Sequence, residues 1–382
     1  MRITVFGTYD TAMHPRIATI AEGLAARGFD VAECNIPLGL DTAARVDMLA
    51  RPWRAGALLL RLASRWAALA RMTRRMPRPD VVVVGYLGHF DIHLARLLFR
   101  RGRVPVVLDH LVGASDTGRD RRLDGGPRQA LLRMIDAAAL RAADIIVVDT
   151  DEHLAALPAR HRPRAVVVAV GAPTAWHEAG LAGQRRDADT GDGGDPRPLR
   201  VVFYGLYTPL QGAPVIGTAL GGLAGAAVEI TMIGRGQDEA RTREAAAANN
   251  AVRWLDWVPA AELPGVVAGH DVCLGIFGTG EKARRVVPNK VFQGAAAGCA
   301  IVTSDTAPQR RVLGDAAILV PPGDADALAA ALLRLAADHA ARDELRRRAR
   351  ELAGQRFSPA QVVGPLVERL AMAPKESAHA GA

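Results

Sequence analysis

The residues best suited to chemistry lie between 275 and 293, where a glycine-containing loop leads into a predicted helix. Gly278 and Thr279 lie in the loop, and four basic side chains follow: Lys282, Arg284, Arg285 and Lys290. Glycines let backbone amides approach a ligand, and a helix N-terminus attracts anions. Lysine occurs only at positions 282, 290 and 375, so in an arginine-rich chain these two ammonium groups favour a specific role. The pattern predicts a diphosphate site; the alternative is a solvated basic loop.

The first half of the chain places polar residues directly after predicted strands. Gly7, Thr8 and Asp10 follow the first strand, and we expect Arg16, in the next helix, to reach the ligand-binding edge of the sheet. His89 and Asp91 follow the third strand, and a histidine there can bind a hydroxyl or exchange a proton near neutral pH. Further candidates follow later strands: Asp109, His110, Asp116, Thr117, Asp149 and Thr150. Helix capping and packing remain the alternatives for all of them.

Several classes of chemistry lack support in the sequence. Three scattered cysteines give neither a disulfide framework nor a zinc site, and no Cys/His spacing suggests a metal, so we expect no metal cofactor. The pair Gly234 and Gly236 lacks the third glycine of a dinucleotide fingerprint. No Gly-x-Ser-x-Gly elbow of a hydrolase is present.

The elements that must position these residues alternate along the whole chain. Short Val/Ile-rich runs bounded by Gly, Asp or Pro alternate with longer stretches of helical period, which predicts an α/β protein with parallel sheets buried on both faces. A polar Gly/Asp-rich stretch interrupts the alternation, and the pattern then restarts. We therefore predict two Rossmann-like, doubly wound domains facing across a cleft, with ligands at the carboxyl ends of the strands.

The predicted boundaries follow from these changes in composition. They are an N-terminal acceptor domain at 1–177, a flexible linker at 178–199, a C-terminal donor domain at 200–357, a C-terminal helix at 358–373 that crosses back to the N-terminal domain, and a disordered tail at 374–382.

The run Pro288-Asn289-Lys290-Val291-Phe292-Gln293, followed by small residues and Ala300–Ser304, resembles the donor-site signature of family 4 glycosyltransferases, a retaining GT-B group. The resemblance covers nearly the whole chain and includes pieces at Gly205, at Gly234 and at Trp257-Val258-Pro259. It implies a nucleotide-sugar donor and no required metal. The base would lie near Trp257 and Val258, the ribose near Gln293, and the phosphates near Lys282, Arg285 and Lys290. It places the acceptor near Gly7–Asp10 and His89, with Arg16 and Asp91 on the same side.

The chain departs from that family where charge is expected. Gln293 occupies the position where the family usually has a ribose-binding glutamate, and Arg285 occupies the position of an acid eight residues earlier. Leu206 and Gln211 occupy the positions of two basic residues after the first strand of the second domain. Three functions therefore stay open: a glycosyltransferase, a GT-B nucleotide-sugar epimerase or phosphorylase, and a degenerate glycosyltransferase-like binding protein.

The net charge of +8 comes from one segment, residues 45–78, which holds nine arginines and one acid. Its helical pattern puts leucines and Trp66 on one side and arginines on the other, so an anionic membrane surface is a candidate partner. Nucleic acid is disfavoured because aromatic residues are only 4% of the chain. Without a membrane-span or signal-peptide pattern, we expect a cytoplasmic protein, with the inner face of the plasma membrane as a candidate location.

Overall fold

The computed structural model describes residues 1–11, 15–39, 52–86, 88–100, 104–111, 113, 126–189 and 197–372. The predicted tail at 374–382, the end of the predicted linker at 190–196, residues 45–51 of the basic segment, and Asp116 and Thr117 lie outside the described residues. The chain divides into two compact units. Unit 1 combines Met1–Ala169 with the chain from Ala360 onward, and unit 2 is Val170–Pro359.

Unit 1 is built on a six-stranded parallel sheet in the order β2-β1-β3-β4-β5-β6. The strands are β1 Arg2–Gly7, β2 Asp30–Asn35, β3 Val81–Val84, β4 Val106–Asp109, β5 Ile145–Val148 and β6 Ala165–Val167. The helices between them are α1 Arg16–Ala26, α2 Pro52–Thr73, α3 Asp91–Leu98, α4 Gly126–Ala142 and α5 Asp151–Ala156, followed by a 3-10 helix at Ala159–Arg164. All four valines of β3 are buried, because helices cover both faces of the sheet.

Unit 2 repeats this plan with the order β12-β11-β10-β7-β8-β9, again parallel. Its strands are β7 Leu199–Tyr204, β8 Val228–Ile233, β9 Val252–Leu255, β10 Val272–Leu274, β11 Ala300–Ser304 and β12 Ala317–Val320. Its helices are α6 Thr174–Asp189, α7 Ala213–Gly221, α8 Glu239–Ala245, α9 Leu263–Ala268, α10 Asn289–Ala296, α11 Ala307–Leu313, α12 Ala325–Ala337 and α13 His339–Leu352, which continues as a π-helical turn at Ala353–Phe357. The predicted class, two Rossmann-like α/β units, is confirmed.

The prediction of a flexible linker beginning at 178 is wrong, because α6 extends from Thr174 to Asp189 and belongs to unit 2. Its glycines serve close packing: a Cβ on Gly180 would lie 2.2 Å from the Ala296 carbonyl oxygen, and one on Gly183 would lie 3.2 Å from that of Ala268. These two glycines therefore let α6 pack directly on α9 and α10. The change of unit falls at Ala169/Val170 instead of 177/178.

The chain after unit 2 forms two short helices, α14 Pro359–Val362 and α15 Gly364–Ala371. Val363, Leu366 and Leu370 are buried in the same core cluster as Ile3 and Ile17 of unit 1. The break at Val363 precedes Gly364-Pro365, where a proline cannot continue the hydrogen bonding of the helix before it.

Candidate functional site

Lys290 occupies the centre of the candidate site in unit 2. The strand order of unit 2 reverses between β10 and β7, and crevices at such points bind ligands in open α/β sheets. The Lys290 side chain lies there, only 5% of the residue being exposed, with its Nζ 4.0 Å from the centre of the Phe203 ring. The Nζ donates a hydrogen bond to Oε1 of Gln211. Burial lowers the pKa of the amine to about 7, so a small change in its surroundings decides its charge at neutral pH.

Gln293 lies three residues further along α10, and its side chain is also held. Its Oε1 accepts a hydrogen bond of 3.0 Å from the Tyr204 hydroxyl. Burial raises the pKa of Tyr204 well above its usual value, so the hydroxyl keeps the proton that it donates. The Tyr204 ring stacks on Trp176 of α6, with ring centres 5.6 Å apart. The arrangement leaves the amide nitrogen of Gln293 without a partner among the described residues.

Three of the predicted glycines bring the loops of unit 2 together. Gly234 (φ +126°) lies so close to Gly205 that a Cβ on it would be 2.0 Å from the Gly205 carbonyl oxygen. A Cβ on Gly205 would in turn lie 3.3 Å from Nζ of Lys290. Gly278 packs against the backbone of Pro209 and Leu210, and the Phe277 amide donates to the Gln211 carbonyl at 2.9 Å. The loops after β7, β8 and β10 therefore meet around Lys290.

The other predicted donor residues lie on the loop after β10, on the loop after β9 and at the start of α10. Arg285 pairs with Glu281 on its own loop, and Lys282 is half-buried. Trp257, after β9, is 67% exposed, with Val258 half-buried beside it. Thr279 is exposed and lies beside Gly323, while Asn289 is the half-buried first residue of α10.

In unit 1 the strand order reverses between β1 and β3, where several predicted acceptor residues lie. The Thr8 amide and hydroxyl donate to Oδ2 of Asp91 at 2.7 and 2.8 Å, and Trp66 Nε1 donates to Oδ1 at 2.8 Å. Asp91 thus joins the loop after β1, helix α2 and the start of α3. Gly7 borders Asp91, and Asp10 is half-buried. These hydrogen bonds give Asp91 and Thr8 a structural role, because they hold the three elements together.

Arg16 lies at the carboxyl edge of the sheet, as predicted, but it is buried there inside unit 1. The residue is 1% exposed, and its Nε donates to Oδ1 of Asp109 at 2.8 Å. Its Nη2 donates to the carbonyl oxygen of Val168 at 2.9 Å. Arg16 therefore connects the ends of β4 and β6 from inside the unit, because a buried guanidinium needs an acid and carbonyl acceptors around it.

His89 is buried at the end of the loop after β3. Its Nε2 lies 3.1 Å from Oδ1 of Asp136 on α4, within ion-pair distance when the ring is protonated. The ring packs edge-on against His110, with ring centres 5.6 Å apart. Burial and the neighbouring His89 lower the pKa of His110 to about 4, so His110 is neutral at pH 7. Sequence reasoning missed Asp136, because a carboxylate inside a helical pattern carries no signal of its tertiary partner.

Comparisons with known proteins agree with this geometry. Residues 198–338 match the family model "Glycosyl transferases group 1". A phosphatidyl-myo-inositol mannosyltransferase of Mycolicibacterium smegmatis is 36% identical over 159 residues, which cover 40% of this chain and 39% of that protein. The chain therefore spans about two fifths of this curated relative.

Solved structures match over almost the whole chain. Sucrose-phosphate synthase from Thermosynechococcus elongatus has a TM-score of 0.68 and 15% identity, covering 98% of this chain and 99% of that one. Anabaena HepE in complex with UDP and glucose has a TM-score of 0.65 and 14% identity, covering 97% and 99%. The two Rossmann-like units define the fold of the GT-B glycosyltransferases. Within this fold, residues 198–338 are the part of the chain that is similar to the glycosyl transferases group 1 model.

Proposed function

We propose that the protein transfers a sugar from a nucleotide-sugar donor to an acceptor hydroxyl, with retention, as a family 4-type hexosyltransferase. The observation that carries this proposal is the Lys290 amine, buried where the strand order reverses and at the start of α10. The complex of Anabaena HepE with UDP and glucose supports the choice of donor class.

The donor diphosphate is assigned to Lys290 and the loop before α10. An ammonium group has three donors, and Gln211 accepts from one of them, so two remain for phosphate oxygens. Lys282 and Arg285 add positive charge from the loop, and the N-terminus of α10 favours an anion. As the bond from the sugar C1 to the diphosphate oxygen breaks, these fixed positive groups stabilise the charge that develops on the leaving group.

The nucleoside is assigned to Gln293, Trp257 and Val258. Since Tyr204 occupies Oε1 of Gln293, the amide nitrogen remains to donate to a ribose oxygen, which compensates in part for the missing carboxylate. The exposed Trp257 ring offers a face to the base.

The acceptor is assigned to unit 1, with His89 as the residue that binds its hydroxyl. The Asp136 carboxylate lies beside this ring, with its Oδ1 3.1 Å from the His89 Nε2. The acceptor oxygen bonds to C1 on the face that the diphosphate leaves, and its proton goes to the leaving group. We propose no metal requirement, because protein cations supply the charge.

A screen of UDP, GDP, ADP and TDP sugars tests the function. We expect one nucleotide to raise the melting temperature, since a ligand that binds only the folded state stabilises it by mass action. We also expect free nucleoside diphosphate to be released faster when an acceptor is present. An epimerised sugar formed from the donor alone would replace the proposal by an epimerase. Binding of none of the nucleotides would point to a degenerate binding protein.

We further propose that α2 brings the protein to an anionic membrane surface. Arg61 and Arg71 are exposed on this helix and Arg75 is exposed two residues after its end, and Leu59 and Leu60 are exposed as well, the latter at 76%. Leu62 and Leu69 face the core, so the exposed leucines are available for insertion beside the arginines. No helix in the described ranges is long and apolar enough to cross a membrane.

Exchange of Arg61, Arg71 and Arg75 for glutamine is expected to weaken binding to vesicles with anionic lipid by about tenfold or more. Each basic residue near such a surface contributes about 1 kcal/mol, and added salt should weaken the wild type more than the variant. The measurement is co-sedimentation with vesicles of stated anionic content. The matched control exchanges Arg241, Arg253 and Arg334, three exposed arginines of unit 2. Equal loss in both variants, or no loss in the first, would contradict a specific role of α2.

A further inference from the structure

A cavity of about 400 Å³ lies in unit 1, and its lining includes no residue assigned above to the donor or the acceptor. It is enclosed by the ends of α2 and α3, the loop that leads into β3, and the middle of β1. Because these helices run antiparallel to the strands, the C-terminal ends of the helices lie at the edge of the sheet where the strands begin. The candidate sites occupy the carboxyl edge, so this cavity belongs to neither of them.

The cavity has mainly apolar walls with two threonines among them, and the hydroxyl of one, Thr73, donates to the Ala70 carbonyl at 3.1 Å. Met76, Leu98 and Phe99 line it, and its size is that of a small-molecule site. Thr4 of β1 also lines it, 2% exposed, and no described residue forms a hydrogen bond with the threonine hydroxyl. The cavity is open to solvent, so the Thr4 hydroxyl is accessible to water or to a ligand that enters it. The space is therefore more than a packing defect.

Two arginines complete the lining. Arg74 and Arg78 are exposed, and neither forms an ion pair with any residue in the described ranges. Arg96, on the neighbouring helix α3, pairs with Asp144 at 2.6 Å. The acid nearest in sequence, Asp80, accepts a hydrogen bond of 2.7 Å from the Arg2 amide. No acid lines the cavity, so its positive charge is uncompensated.

We infer that this cavity binds an anionic amphiphile: a molecule with an apolar body and a phosphate or carboxylate head. The body packs against Met76, Leu98 and Phe99, where its removal from water drives binding. Arg74 and Arg78 bind the head, with the bidentate geometry that guanidinium groups offer to such anions. The Thr4 hydroxyl donates to an oxygen of the ligand or holds a water against it.

Calorimetry of the full chain with octyl phosphate tests the site, with octanol and inorganic phosphate as the two half-ligands. We expect saturable one-to-one binding of octyl phosphate below its micelle concentration, and at least tenfold weaker binding of either half. The Arg74→Gln/Arg78→Gln variant should lose at least tenfold in affinity. The matched control, Arg71→Gln/Arg75→Gln, removes the same charge from arginines that do not line the cavity and should bind like the wild type. Ala70→Leu, which places a larger side chain in the wall and so reduces the cavity volume, should also weaken the binding of octyl phosphate.

Three results would overturn the inference: equal loss in both arginine variants, inorganic phosphate binding as tightly as octyl phosphate, or no binding of octyl phosphate. The two sources of such a ligand are separated by vesicles containing phosphatidic acid. If Arg74→Gln/Arg78→Gln also loses vesicle binding while Arg241→Gln/Arg253→Gln, which changes two exposed arginines of unit 2, keeps it, the ligand comes from a membrane. If vesicle binding is unchanged while octyl phosphate binding is lost, the site takes a free amphiphile.

Discussion

Replacing Lys290 with methionine is expected to lower kcat/KM for the nucleotide-sugar donor by about 10²–10³-fold, the usual cost of removing one preorganised group that stabilises developing charge. Methionine keeps the unbranched stem beside Phe203 and removes only the ammonium group. The buried amine costs desolvation energy, so the variant should be at least as stable as the wild type. Steady-state kinetics and thermal unfolding measure the two effects. Unchanged kcat/KM would show that Lys290 does not act in the donor site. A large loss of thermal stability would show that its role is structural.

The lowered pKa of Lys290 also predicts how donor affinity and the free energy of unfolding change with pH. Since the pKa of Lys290 is lowered to about 7, the amine is mostly charged at pH 6 and mostly neutral at pH 8.5. The charged form binds the diphosphate, so donor affinity should fall as pH rises through 7, with proton uptake on binding. The unfolded chain holds this proton up to its ordinary pKa, so the free energy of unfolding should rise with pH between about 7 and 10.4. Lys290→Met should lose both dependences.

Replacing Gly234 with alanine is expected to lower the free energy of unfolding by about 2–4 kcal/mol, through backbone strain and a steric clash. The φ of +126° disfavours any side chain, and the added Cβ would lie 2.0 Å from the Gly205 carbonyl oxygen. If the loop after β7 moves to relieve the clash, donor affinity falls as well, because Gly205 borders the Lys290 amine.

Gly225→Ala provides the control for that experiment. Gly225 also has a positive φ, +80°, but a Cβ there would meet nothing within 4 Å. Gly225→Ala should lower the free energy of unfolding by about 1 kcal/mol, through backbone conformation alone. Thermal and denaturant unfolding of both variants separate the effect of backbone strain from that of the steric clash with Gly205. Equal destabilisation would show that the contact between Gly234 and Gly205 adds nothing.

The sequence predicts the sheets well because the physical signal is local. A run such as Val81–Val84 can only be buried on both faces, and it forms β3 as expected. Gly205, Gly234 and Lys290 were also found from sequence, because each occupies a loop or helix start at the end of a strand. Their types are those that close backbone approach and phosphate binding require.

Tertiary partners decide the residues that sequence reasoning missed. Arg16 was expected near a ligand, yet Asp109, 93 positions away, holds it inside unit 1. The linker was predicted to begin at 178, yet Gly180 and Gly183 belong to α6 and pack against the backbone of α10 and α9, a role that sequence alone does not reveal. The hydrogen bond from Tyr204 to Gln293 likewise has no local signature, since a tyrosine at the end of a strand reads as core.

The return of α15 to unit 1 fixes an order of assembly during synthesis. Unit 2 is continuous from Val170 to Pro359, so all of its strands are available once that stretch has left the ribosome. Unit 1 holds the first strand of the chain, yet its core also needs Leu366 and Leu370. Because translation proceeds from the N-terminus, the unit that begins first is the unit whose core closes last. Until then, Ile3 and Ile17 lack part of their final cover, so the nascent chain exposes an apolar surface while unit 2 is made.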